Sequence, residues 1–114
     1  MTIGRPLVGQ SAPMQIFRHG ADRLPIALLA AFFALNVVVW AFVDSPALLL
    51  LWLLIGLVPR GGASAYNHHH QHLTVFRVGV LNRLLDVMYG LLTGITSHGW
   101  VLHHSLGHHV NYLD

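Results

Sequence analysis

Histidine is the residue type through which this sequence can do chemistry. Ten of the 114 residues are His, and nine of them lie between His68 and His109. The first run reads Asn67, His68, His69, His70, Gln71, His72, and the second passes from His98 through His103, His104, His108 and His109 to Asn111. On a helix, residues four apart project from one face about a turn apart. His68 with His72, and His104 with His108, are therefore two pairs that can each grip a metal ion. His109 lies about 100° round the helix from His108, placed to reach a neighbouring ion. Imidazole suits iron, zinc, copper and nickel alike, so ligand type alone does not choose among them.

The missing residue types narrow the chemistry further. There is no Cys, Lys or Glu in the chain. Thiolate nucleophiles, disulfides, iron-sulfur clusters and cysteine zinc sites are excluded. So are a phosphate-loop lysine, a Schiff base, and the glutamate-bearing metal motifs, including the carboxylate-bridged di-iron bundle. What is left is an all-histidine, membrane-associated site. His69, His70, His98 and His103 stay open between ligand, partner of a ligand and bystander, while His19 stands alone and carries no weight. Six Arg against four Asp give a net charge of +2, too sparse and scattered for a nucleic-acid footprint.

The elements that must position these residues are apolar. The chain is 54% hydrophobic and 9% charged, against roughly 25% charged residues in soluble domains. Residues 1–25 read as a polar, turn-rich, mobile cytoplasmic leader. Ile26 to Val43 is interrupted only by Asn36, and as a helix it spans about 27 Å, close to the thickness of a bilayer core. Asp44, Ser45 and Pro46 form a turn, and Ala47 to Val58 is a second, shorter apolar run. Residues 26–58 are thus expected to form a membrane hairpin whose second arm must continue into polar sequence, tilt or re-enter. Arg18 and Arg23 precede it and Arg60, Arg77 and Arg83 follow, which puts both ends on the cytoplasmic side. Leu81, Leu84, Leu85, Met88, Leu91, Leu92 and Ile95 recur at spacings of three and four, marking an amphipathic helix at the membrane surface, with a packed core helix as the alternative. The expected fold is all-α: a membrane helical hairpin, then interfacial and histidine-bearing cytoplasmic helices over 59–114.

On these residues the sequence resembles the integral-membrane fatty acid desaturases, part of a histidine-box superfamily that also holds alkane and carotenoid hydroxylases. The family's first box, His then three or four residues then His, is matched by His68 and His72. Its second box, His then two or three residues then His-His, is matched by His104, His108 and His109. The order of hairpin, box, amphipathic segment and box, with about thirty residues between the boxes, is also similar. The family's third box and second pair of spans have no counterpart in residues 1–114, so the resemblance implies the N-terminal part of a longer enzyme, inactive by itself.

The resemblance further implies that two iron ions, held by His68, His72, His104, His108 and His109, use dioxygen to place a double bond in a fatty acyl chain. Electrons would come from a donor such as ferredoxin or cytochrome b5. Asn111 would hold a water or orient a ligand, with Gln71, Asn67 and Asp114 as weaker supporting residues. Arg77 and Arg83 would meet lipid phosphates or an acyl-carrier headgroup. The rival readings are a lipid or alkane hydroxylase of the same superfamily, and a small membrane protein that carries metal. Arg-only basicity with abundant Ala, Gly, Leu and Val points to a bacterial inner membrane.

Overall fold

The structure, a computed structural model, describes residues 15–108 and residue 110. It is helical, and the described residues contain no strand beyond one bridge between Phe17 and Phe76. A 3₁₀ turn at Gly20–Asp22 leads into α1 (Arg23–Phe42). Pro25 sits in the first turn, where its missing N–H would have no intrahelical acceptor in any case. Gly20–Phe42 is long and apolar enough to cross a membrane. Extended backbone at Val43 and Ser45 ends it. Ser45 then caps α2 (Pro46–Ile55): its Oγ accepts from the Leu48 N–H at 3.5 Å, with Pro46 opening the helix. Every residue of α2 is apolar apart from its opening proline, and none is buried.

The second arm resolves into a broken helix. α2 bends by 47° into α3 (Leu57–His72), so the short apolar run continues into polar sequence. Pro59 explains the position of the break. It has no N–H for the Ile55 carbonyl four residues back, and its ring crowds that carbonyl, so the helix parts at Gly56. A Cβ at Gly56 would meet the Arg60 guanidinium, so a side chain there would displace the arginine from its position over the break. Arg60, which the sequence places among the flanking charges, instead reaches back beside the apolar helices, its Nη2 donating to Asn36 Oδ1 at 2.9 Å.

α3 packs against α4 (Gly79–Thr93), and the core gathers Ile26 and Leu29 from α1, Ala63 from α3, Val75 from the intervening loop, and Leu85, Tyr89 and Leu92 from α4. Phe17 packs on this core, 4.9 Å from the Phe76 ring, and backbone bonds of 2.9 Å join Arg18 N to Val75 O and Arg77 N to Ile16 O. The part of the leader from Ile16 onward is therefore not a mobile tail but a clasp on the α3–α4 loop. Asn82 holds the same loop, accepting from Phe76 N at 2.9 Å and donating to Phe76 O at 3.0 Å.

α4 carries two apolar faces rather than one. Leu85, Tyr89 and Leu92 are buried, whereas Val80, Leu84, Val87 and Leu91 are exposed. Gly94 ends α4 in the left-handed region at φ 76°, its N–H bonded to the Gly90 carbonyl at 2.9 Å. α5 (Ser97–Trp100) follows, capped by Thr96, and runs into a π-helical segment, Val101–His108.

Candidate metal centre

The two histidine runs meet at one point. α3 turns Ala63, Asn67 and His70 into the protein, positions four and three apart on one face. That orientation leaves His68 half-buried and His72 exposed on the neighbouring face. α5 and the π segment bring His104 alongside them. The ring centroids lie 4.8 Å apart for His68 and His72, 4.4 Å for His68 and His104, and 5.9 Å for His72 and His104.

One donor nitrogen from each of these rings falls within 4.8 Å of the others. Nitrogens bound to a single ion at about 2.0–2.1 Å lie within about 4.2 Å of one another. Small rotamer adjustments of these partly exposed side chains close that difference, so three neutral imidazoles fit one transition-metal ion. Trp100 borders the cluster, its ring 5.4 Å from His104 and 5.9 Å from His68. A cavity of about 350 Å³ lined by Ile95, Gly99, Trp100, His103 and His104 opens beside it.

A single carboxylate oxygen ties the helices that carry these histidines. Asp86 Oδ1, on α4, accepts from Ser97 Oγ of α5 at 2.7 Å and from Gln71 Nε2 of α3 at 3.1 Å. Gln71 Nε2 also donates to Asn67 Oδ1 at 3.1 Å, so Asn67, which precedes the first run, and Gln71, which interrupts it, both belong to this network. His70 is buried, and its Nδ1 accepts from the Val75 N–H at 3.2 Å. Its Nε2 lies 3.6 Å from Asp86 Oδ1, too long for a direct hydrogen bond. Burial pushes the His70 imidazole below the usual histidine range despite the attraction of Asp86. His70 is thus a neutral structural residue held away from the cluster, with the Tyr89 ring 5.9 Å away. Burial likewise raises the Tyr89 phenol well above its ordinary range.

The remaining candidates divide as follows. His69, His98 and His103 are exposed and stand outside the three-histidine cluster. His108 ends the π segment, where the sequence reading assumed an α-helix. His109, Asn111 and Asp114 lie outside the described residues. Arg77 and Arg83 are exposed, and Arg83 lines a cavity of about 720 Å³ together with Asp86 and His98.

Sequence reasoning passed over Asp86, Ser97 and Trp100. The signal for Asp86 was present, since it is the only acidic residue between the two runs in a chain without Glu. No protein-family model matches the chain, and no curated protein and no solved structure does so either.

Proposed function

We propose that the chain belongs to a membrane-bound, oxygen-dependent iron enzyme of the fatty acid desaturase type, with His68, His72 and His104 as ligands. The observation that carries this reading is the convergence of three imidazoles from two runs about thirty residues apart. They gather at the polar end of an apolar helix pair, the arrangement needed to act on lipid from the membrane surface.

The hairpin sits in the bilayer in this reading. The uniformly apolar, unburied α2 supports it, because an exposed apolar surface of that extent calls for lipid contact. Val80, Leu84, Val87 and Leu91 give α4 an outer apolar stripe for the interface. In this reading the histidines face the cytoplasm, which Arg18 and Arg23 before the hairpin and Arg77 and Arg83 after it favour, and the membrane is the bacterial inner one, in keeping with the Arg-only, Ala-, Gly-, Leu- and Val-rich composition.

His68, His72 and His104 would hold one iron and His108 and His109 would serve a second, and the bound metal would supply dioxygen activation. The protein's own work is positional. The Asp86 network fixes the approach of α5 to α3, and the apolar slot at Ile95, Gly99 and Trp100 lies where an acyl chain would pass His104. Electrons come from a separate carrier of the ferredoxin or cytochrome b5 kind.

The test is to purify the full-length protein, measure its bound metal, and analyse lipid products by mass after supply of a reductant and carrier. A loss of two hydrogens with bound iron is the expected result. Gain of one oxygen would assign the protein to the hydroxylases. Zinc or copper at stoichiometric level without turnover would assign it to metal carriage and overturn the proposal.

A further inference from the structure

A second polar cluster lies within the apolar helix pair, away from the histidines. Asn36, on α1, is only 8% exposed. Its Oδ1 accepts from Trp52 Nε1 at 3.1 Å and from Arg60 Nη2 at 2.9 Å, while its Nδ2 donates to the Phe32 carbonyl at 2.7 Å. Arg60 Nη1 reaches the Leu53 carbonyl at 3.5 Å, and its guanidinium carbon lies 5.6 Å from the centre of the Phe32 ring. At 1.5 Å per residue, Leu53 is about 10 Å along α2 from Pro46 and Asn36 about 9 Å along α1 from Phe42. Arginines near helix ends ordinarily extend outward to water. This one lies back over Gly56, among apolar helices, where an unpaired charge is costly.

Every partner of Arg60 is neutral, and among the described residues no carboxylate pairs with it. Only two of its several N–H donors are used. A groove of about 490 Å³ opens beside it between α1 and α4, walled by Phe33, Val37, Trp40 and Leu92, with Asn36 and Arg60 forming its polar part. That volume is in the range of pockets for a single small ligand. It has room for one extended chain. Asn36 and the Leu53 carbonyl already orient the planar guanidinium, so little order is lost when an anion docks.

We propose that this groove binds a free fatty acid, its carboxylate paired with Arg60 and its chain along Phe33, Val37, Trp40 and Leu92. A carboxylate matches the guanidinium fork in charge and geometry, and removes the uncompensated cation from the apolar surroundings. The site stands on Arg60 and the groove alone. It requires neither metal nor turnover, so its failure and that of the desaturase reading are read separately.

The experiment uses the full-length protein in neutral detergent, carrying Trp100→Phe so that Trp40 and Trp52 report. Fluorescence quenching is titrated with dibromostearic acid, its methyl ester and a dibrominated phosphatidylglycerol. The acid is expected to quench saturably at a concentration at least tenfold below the ester, and Arg60→Gln should bring the acid to the ester's level. Ala41→Phe, which fills the groove without touching Arg60, should abolish saturable quenching by the acid, and it decides the matter if Arg60→Gln does not fold. Equal quenching by acid and ester, unchanged quenching in Arg60→Gln, or unchanged quenching in Ala41→Phe would each overturn the proposal. Arg60-dependent quenching by phosphatidylglycerol alone would overturn it in favour of a lipid phosphate.

Discussion

Two parts of this molecule are organised around one side-chain oxygen that accepts two hydrogen bonds. In the apolar pair the oxygen is Asn36 Oδ1, shared by Trp52 of α2 and Arg60 of α3. Below the histidines it is Asp86 Oδ1, shared by Gln71 of α3 and Ser97 of α5. The first is a buried neutral amide that receives a cation. The second is a partly exposed carboxylate that receives neutral donors. Their tasks differ accordingly. Asn36 spans the break at Gly56 and so sets the direction in which α3 leaves the pair, whereas Asp86 sets which residues of α5 face α3. One directs the helix that carries the first histidine pair; the other closes the site by delivering His104.

This contrast orders the expected effects of substitution. The largest belongs to the site itself: under the proposed function, His104→Ala should lower turnover at least about 100-fold and remove bound iron, while exposed His103→Ala changes both less than about twofold. Product formation and metal analysis on the same preparations check this, and equal losses would contradict the geometry. Next, Asp86→Leu should weaken metal binding by about 10–100-fold with helix content unchanged, because residues that orient ligands typically cost that much. Asp86→Asn keeps an acceptor oxygen and should lose less than about tenfold, as read by competition with a chelator. Asn36→Leu should act the other way, leaving metal affinity within about twofold but lowering stability by about 2–3 kcal/mol, since Trp52 and Arg60 lose their acceptor. Thermal unfolding in detergent measures it. The smallest effect is that of Gly94→Ala, about 1 kcal/mol in the same assay, from a side chain forced to φ 76°. A loss of metal affinity in Asn36→Leu as large as in Asp86→Leu would erase the division of labour.

Much of this organisation was legible from patterning. The apolar runs, the turn at Asp44 to Pro46 and the i, i+4 histidine pair of α3 all follow from local rules that the structure obeys. The break at Gly56 was legible only in part. Pro59 marks it, but the angle depends on Arg60 lying across Gly56 to reach Asn36, a contact between residues 24 apart in sequence. The α4 stripe was read as one face because periodicity records spacing and not partners. Leu85 and Leu92 are buried in the core with residues of α1 and α3, while Leu84 and Leu91 are exposed. The clasp of Phe17 on Phe76 was not legible for the same reason, since it depends on long-range pairing of residues whose types have no special local meaning. Asp86 stands out in the sequence as the one acidic residue between the runs, but its partners on α3 and α5 are fixed only by the fold. The convergence of His68, His72 and His104 was inferable from their spacing only with an assumption that both runs face each other, and it is α5 and Ser97 that bring them face to face.

The three-histidine site is tested by the metal content of the protein, purified from iron-supplemented cells, with and without His68→Ala, His72→Ala and His104→Ala combined. Iron is expected in at least stoichiometric amount in the unsubstituted protein and is expected to be lost in the triple variant while its helix content persists. Iron retained in the folded triple variant would contradict the assignment of these three histidines as a metal site.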